Sequence, residues 1–195
     1  PWFPHTPHSW HSTAQPLPPP QIHTLLNGGA LPQYLQLDLS AFELRPYRRI
    51  GGGMSVALTT QELDQPATTP ELTRLRVICE LIPQWPVDLS VSGTQLTPSR
   101  TGRAQIPYIT LGDVLFAVHR MLHKKISHGD WGQLTGSQET EVARAYTRRF
   151  KAFAAVERQQ QREGVKKVDY LLRNYFFKGM SWVSAENGVE RMKLL

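Results

Sequence analysis

Cysteine and long apolar runs are scarce in this chain of 195 residues. Cys79 is the single cysteine, so an internal disulfide framework is excluded, and its apolar neighbours predict a small buried side chain. No segment approaches the roughly 20 consecutive apolar residues of a membrane-spanning helix. No signal-peptide pattern of charged and then apolar residues follows Pro1. These features predict a protein of the cytoplasm or nucleus without a membrane span.

Proline and charge are distributed unevenly along the chain. Seven of the 15 prolines fall in the first twenty residues, so we predict a Pro/His-rich flexible tail over residues 1–29 and one globular domain over residues 30–195. The net charge of +6 comes from the C-terminal part, because residues 120–195 hold fifteen Lys and Arg against eight Asp and Glu. This basic half indicates either a nucleic-acid-binding surface or an ordinary solvated helix face.

The clearest local pattern lies at residues 108–123. Thr110 has the chemistry of a helix N-cap, and Asp113 stands three residues later, where its carboxylate can complete a capping box. The apolar residues that follow recur at helical spacing; they are Leu111, Val114, Leu115, Val118 and Leu122. Residues 106–109 resemble a strand, which we expect to pair with residues 87–91 as a hairpin.

Other segments complete the predicted architecture. Strand patterns occur at residues 33–39, 73–81, 87–91, 165–172 and 191–195, with an aromatic connector at 174–182. A short helical turn is predicted at 127–134, and a long helix from Ser137 to a stop at Gly164. We predict an α/β (α+β) fold with a small antiparallel or mixed sheet of about five strands and two main helices, arranged as in a β-grasp. The glycines at 51–53 indicate a flexible turn and not a phosphate cradle, because no lysine follows them.

An ordered set of short motifs resembles one known family. The motifs are YLQLDLS (34–40), PATTPEL (66–72), LRVIC (75–79), WPVDL (85–89), YITLGDVL (108–115), VHRML (118–122), GVKKVDYLL (164–172) and FKGMS (177–181). In order and spacing the chain is similar to a fungal (mushroom-forming basidiomycete) domain-of-unknown-function family, number six-six-nine-nine. The resemblance implies a compact, usually intracellular α/β domain without assigned catalytic residues. The chain departs from the family pattern at its end, where MKLL (192–195) replaces a Trp-containing strand.

Histidine and aspartate supply the candidate catalytic and metal-binding residues. His119 and His123 lie four residues apart on a helix and could share one metal, although we favour packing at the edge of the core. Asp38 and Asp169, with His119, are the candidate catalytic groups, since paired carboxylates can serve as general acid and base. Arg149 lies in an otherwise apolar helix face, so we expect it to form a buried ion pair with Asp169 or Asp38.

Several functions are compatible with these residues. The leading hypothesis is a non-enzymatic binding or scaffold domain that acts through protein–protein contacts, with Arg149, Tyr170, Phe177 and Trp182 as candidate binding residues. One alternative is an enzyme or small-molecule binder with a polar pocket near Asp38, His119 and Asp169. Another is nucleic-acid binding through the basic C-terminal half. No motif predicts a cofactor.

Overall fold

The computed structural model of the protein describes residues 20–30, 34–91, 108–152 and 164–195. Its strands are β1 Gln21–Ile22, β2 Leu35–Gln36, β3 Tyr47–Gly51, β4 Met54–Ala57, β5 Thr68–Thr69, β6 Arg74–Cys79, β7 Val87–Ser90, β8 Met180–Glu186 and β9 Val189–Leu194. Its helices are α1 Thr60–Leu63, α2 Leu111–Leu122, α3 His128–Gly132 and α4 Gly136–Ala152, followed by a 3₁₀ helix at Lys167–Leu171. The predicted tail lies mostly outside the described residues.

The largest sheet has four strands in the order β7-β6-β9-β8. β6 and β7 form an antiparallel hairpin, β8 and β9 form a second one, and β6 runs parallel to β9 at the centre. Leu75, Val77 and Cys79 alternate along β6 and are buried, as the strand pattern predicts. Between the two hairpins the chain forms α2, α3, α4 and the 3₁₀ helix. The α+β fold and its two main helices are therefore confirmed, while the largest described sheet has four strands and not five.

Two smaller sheets flank this arrangement. β1 pairs antiparallel with β5, and β2, β3 and β4 form a second antiparallel sheet in that order. The predicted glycine turn lies at the tip of the β3–β4 hairpin, where Gly51, Gly52 and Gly53 all have positive φ angles.

Helix α2 begins at the predicted cap. Thr110 Oγ1 accepts a hydrogen bond from the Asp113 amide at 3.0 Å, and the Asp113 carboxylate accepts one from the Thr110 amide at 3.0 Å. All five residues of the predicted apolar stripe are buried in the core. The capping box and the stripe are both confirmed.

Residues 108–109, the described part of the predicted strand before Thr110, do not form a strand. The Ile109 amide donates to the Leu72 carbonyl at 2.8 Å, and the Ile109 carbonyl accepts from the Ala67 amide at 3.0 Å. β7 pairs with β6 instead, with Val87 opposite Val77. Residues 108–109 therefore do not form the expected hairpin with residues 87–91, and residues 106–107 of that prediction lie outside the described residues.

The closing strand predicted at residues 165–172 is wrong, because Lys167–Leu171 form the 3₁₀ helix. Its start is fixed by side-chain chemistry, because the Asp169 carboxylate accepts a hydrogen bond from the Lys166 amide at 2.8 Å. Met180 begins β8 inside the predicted aromatic connector. The long helix is described as far as Ala152, and the predicted continuation over 153–163 lies outside the described residues.

The domain begins earlier than predicted. Leu25 and Leu26 belong to the buried core, so the boundary after residue 29 is too late. Gly28 and Gly179 allow this segment to pack closely, because a Cβ built on Gly179 would overlap the Gly28 Cα. Gly179 also has a φ of 104°, which only glycine adopts readily. Hydrophobic burial together with this close backbone contact incorporates residues 21–28 into the fold.

Candidate functional site

The C-terminal half of α2 carries the two predicted histidines. His119 Nε2 lies 2.9 Å from the Ala41 carbonyl oxygen, and His123 Nε2 lies 3.0 Å from the Leu39 carbonyl oxygen. A carbonyl can only accept, so each Nε2 carries the proton and donates. The rings stack with their centroids 4.1 Å apart. Both histidines thus hold the segment that follows β2 against the helix.

Burial keeps the histidines neutral. Removal from water lowers the pKa of His123 to about 4, and the neighbouring His119 acts in the same direction. Burial also lowers the pKa of His119, against the opposing effects of its hydrogen bond to Ala41 and of the nearby Asp38. The prediction that these residues pack at the core edge is confirmed. Among the described residues no group of three or more His, Cys, Asp or Glu is placed to hold a metal ion.

A cavity of about 450 Å³ lies beside these histidines. We call it the basic cavity, and it is lined by Phe42, His119, His123, Lys125 and Lys166. No carboxylate is among these lining residues. The cavity therefore combines two cations, two neutral imidazoles and one aromatic ring.

The two lysines reach this cavity because their backbones pair. Lys125 and Lys166 are partners in an isolated antiparallel bridge, which puts their side chains on one face. The adjoining hydrogen bond from the Lys167 amide to the Lys124 carbonyl measures 3.0 Å. Lys166 is only 4% exposed, and its Nζ lies 6.0 Å from the centroid of the Phe42 ring.

Asp38 lines a second cavity, also of about 450 Å³, which shares Phe42 with the basic cavity. The Asp38 carboxylate accepts hydrogen bonds from the amide and hydroxyl of Ser40, at 2.8 and 2.6 Å. The structure thus brings Asp38 and His119 to neighbouring cavities. Asp169, the third residue of the predicted pocket, lines neither of these two cavities.

Asp169 is instead paired with Arg149. Arg149 Nε lies 2.9 Å from Oδ1 and Nη2 lies 2.8 Å from Oδ2. Their side chains are 3% and 2% exposed. The expected ion pair is confirmed, with Asp169 and not Asp38 as the partner.

The aromatic residues predicted to bind a partner also make contacts within the domain itself. Tyr170 stacks edge-on against Trp85 with ring centroids 5.0 Å apart, and its hydroxyl donates to the Asp130 carbonyl. Phe177 is 3% exposed and belongs to the core. Trp182 packs against the core, and its indole nitrogen is buried without a hydrogen-bond partner among the described residues. A binding role for these residues stays a prediction, as does nucleic-acid binding by the basic half.

The β3–β4 hairpin, residues 47–57, carries an exposed apolar surface. Every residue of β4 is exposed, including Met54 at 63% and Val56 at 47%. Ile50 on β3 is 46% exposed. We call these three side chains the hairpin surface.

Sequence reasoning missed Phe42, Lys125, Lys166 and the hairpin surface. The two lysines are far apart in the chain, and only tertiary pairing brings them together. The signal for the hairpin was present in the alternation of Met54 and Val56 beside three glycines, which we interpreted only as a turn.

Comparison with known proteins identifies a family, but this family has no known activity. No curated protein and no solved structure matches the chain. Within the described residues, no helix combines the length and the apolar character needed to cross a bilayer. The model of one family of unknown function matches residues 39–190, a span that covers most of the described fold. The chain therefore belongs to the family of unknown function DUF6699.

Proposed function

We propose that this domain is a non-enzymatic binding module that contacts a protein partner through the β3–β4 hairpin. The observation that carries the proposal is the exposure of apolar side chains on an edge strand. β4 is the outer strand of the described three-stranded sheet, so its outer backbone groups face no further strand there. Such an edge is a ready template for a strand from another chain.

The side chains support strand addition. Met54 and Val56 lie two residues apart on β4 and so share one face of the sheet. Val56 lies opposite Arg48 on β3, and Arg48 is paired with Glu62 of α1 at 3.0 Å. A partner strand along β4 would gain main-chain hydrogen bonds and would cover Met54 and Val56.

Charge indicates the chemistry of that partner. The hairpin contains Arg48 and Arg49 and no acidic residue; Arg48 is partly offset by Glu62 of α1, and Arg49 is exposed. An extended segment that alternates apolar and acidic side chains would complement both the apolar face and the positive charge. A second copy of the hairpin would repeat the same positive charge, so it fits less well.

The strongest acid–base candidate supports a non-enzymatic role. The Asp169 carboxylate accepts two hydrogen bonds from Arg149 and one from the Lys166 amide, and it is 2% exposed. A carboxylate so fully engaged and covered has no open approach for a substrate. Its geometry favours a structural role.

The test is selection of extended peptides from a random library on the immobilised domain. We expect enriched peptides to alternate apolar and acidic residues. A Met54→Lys/Val56→Lys double variant should weaken their binding by about tenfold or more, because it adds charge to the apolar face of the edge. Ser55→Lys is the matched control on the other face of β4 and should bind within about threefold of the parent. Equal binding to the parent and the double variant would refute the hairpin as the contact surface, and so would failure to enrich any peptide above an uncoated support.

We also propose that the domain is fungal and acts in the cytoplasm or nucleus. The motif resemblance supports the origin. Cys79 supports the compartment, because it is a buried free thiol whose pKa is raised by burial, and a reducing environment suits it. Microscopy of a fluorescent fusion in a fungal host tests the compartment, and a secreted fusion would contradict it.

A further inference from the structure

The second cavity, beside Asp38, is lined by three aromatic side chains, Phe42, Tyr47 and Phe176, and we call it the aromatic cavity. We propose that it binds an organic cation whose head group is a quaternary ammonium, such as trimethylammonium. Its volume of about 450 Å³ falls in the range of small-molecule pockets, about 300–1,000 Å³. None of its lining residues belongs to the hairpin surface, so this inference goes beyond the protein-contact function.

Backbone pairing brings a carboxylate next to an aromatic ring. Asp38 and Phe176 are partners in an isolated antiparallel bridge. The Leu39 amide donates to the Tyr175 carbonyl at 2.8 Å, so the backbone hydrogen bonds join the neighbours of this pair and not the pair itself. In such a non-hydrogen-bonded pair the two side chains lie closest together. The Asp38 carboxylate and the Phe176 ring therefore project side by side from one face.

Strand register brings a second ring to the same face. Gln36 and Asp38 lie two residues apart and alternate with buried leucines, so both project from the outer face of the chain. Tyr47 on β3 is the register partner of Gln36. The third ring, Phe42, directly follows Ala41, whose carbonyl lies 2.9 Å from His119 Nε2. The rings are thus positioned by contacts within the domain, and a preformed site loses less entropy when it binds.

The lining of the cavity has the chemistry of a cation site. The faces of aromatic rings attract an ammonium group that lies within about 6 Å of the ring centroid. Phe42 and Phe176 are 38% and 53% exposed, so both rings are accessible to a ligand. Ser40 donates both of its hydrogen bonds to Asp38 Oδ1, and no described residue bonds to Oδ2. A quaternary ammonium suits this lining because its methyl groups pack on the rings and require no hydrogen-bond acceptor.

The positive charges nearby leave room for a cation. Arg45 also lines the cavity, but its Nε donates to the Glu43 carboxylate at 3.0 Å, so the two charges offset each other. Lys166 Nζ lies 6.0 Å from the Phe42 ring centroid, and Lys166 lines the basic cavity and not this one. Asp38 therefore gives the lining residues of the aromatic cavity an excess of negative charge.

The experiment is a titration of the full chain with choline, followed by backbone amide NMR shifts. Neohexyl alcohol, in which carbon replaces the choline nitrogen, is the neutral control, and ethanolamine is the control with a primary ammonium. We expect saturable shifts at residues 36–47 and 175–176 with choline, and about tenfold weaker binding of both controls. A short Gly-Ser peptide with one trimethyllysine is the second probe. Tighter binding of choline would identify a free small molecule as the source of the head group, and tighter binding of the peptide a methylated side chain.

Two aspartates give a matched pair of variants. Asp38→Asn removes the charge but keeps an oxygen that accepts from Ser40, and it should weaken choline binding by about tenfold. Asp88→Asn removes an exposed carboxylate on β7 that does not line the cavity, and it should leave binding within about twofold.

Two exposed phenylalanines give a second pair. Phe176→Leu removes a ring of the cavity and should weaken choline binding by about fivefold or more. Phe116→Leu removes a ring on α2 that is 44% exposed and does not line the cavity, and it should have no effect. Unchanged melting temperatures show that the variants are folded. Equal losses within either pair, equal binding of choline and neohexyl alcohol, or shifts that do not saturate would each overturn the proposal.

Discussion

Arg149 and Asp169 form a bidentate ion pair in which both side chains are almost completely buried. The pair joins α4 to the 3₁₀ helix, since Arg149 Nη2 also donates to the Gly164 carbonyl at 3.2 Å. Removing one partner of a buried pair leaves an uncompensated charge in a poorly hydrated site. This contact therefore holds the C-terminal segment against the long helix.

Arg149→Met should lower the free energy of unfolding by about 3–5 kcal/mol, because Asp169 would stay buried without its counter-charge. Arg148→Met is the matched control: Arg148 is exposed and donates one hydrogen bond to the Leu172 carbonyl. That change should cost less than about 0.5 kcal/mol. Urea unfolding midpoints measure both. Equal midpoints would mean that the pair contributes no more than a surface arginine.

Thr110→Ala should cost about 0.5–2 kcal/mol, because it removes the side-chain acceptor for the Asp113 amide at the start of α2. Thr147→Ala on α4 is the control. The Thr147 hydroxyl is exposed and bonds only back to the Ala143 carbonyl, so its loss should be close to neutral. Thermal melts compare the two. A Thr110→Ala variant that melts at the same temperature as the parent would show that α2 does not depend on its cap.

The domain should lose stability as the pH falls from about 7 to about 5.5, before most carboxylates titrate. The pKa of His123 is lowered to about 4 in the folded state, so the unfolded chain takes up a proton near its ordinary value of about 6.5 while the folded chain does not. The effect is absent above the unfolded pKa and grows to about 1 kcal/mol at pH 5.5.

His123→Gln, an uncharged replacement, should remove this part of the pH dependence when unfolding midpoints are compared at the two pH values. His128→Gln is the control, because His128 is exposed at the start of α3. If His123→Gln shows the same slope as the parent between these pH values, another group is responsible.

Gly179→Ala should destabilise the domain by about 2 kcal/mol or more, because φ is positive there and a Cβ would overlap Gly28. Gly132→Ala is the control, since a Cβ at Gly132 would meet no atom within 4 Å. We expect that change to be neutral or slightly stabilising. Similar melting temperatures for both variants would mean that the backbones at Gly28 and Gly179 can separate without cost.

Local rules account for what the sequence predicted well. The Thr110 capping box depends on residues three apart, and the burial of Arg149 follows from its place on the helix face. β6 and β7 were recognised from alternation along each strand. In each of these cases the interactions that determine the structure are between residues of the same helix or the same strand.

Long-range pairing accounts for what was missed. The apolar pattern of residues 165–172 is compatible with a strand as well as with a helix. The 3₁₀ helix is stabilised by the contact of Asp169 with Arg149, which lies 20 residues earlier in the chain. Leu25 and Leu26 lie close to a proline-rich segment, and only the pairing of β1 with β5 shows that they belong to the core. The basic cavity depends on a bridge between Lys125 and Lys166, which no local pattern reveals.

Amide hydrogen exchange with and without a selected peptide tests the proposed function most directly. Strand addition predicts that the peptide slows exchange by about tenfold or more at those amides of β4 that point away from β3, because its backbone would bond to the outer edge of the sheet. The α4 amides, in a helix that the peptide would not contact, should exchange at unchanged rates. Protection confined to other elements, or unchanged exchange at β4 while the peptide is bound, would contradict the assignment of this edge as the protein-binding surface.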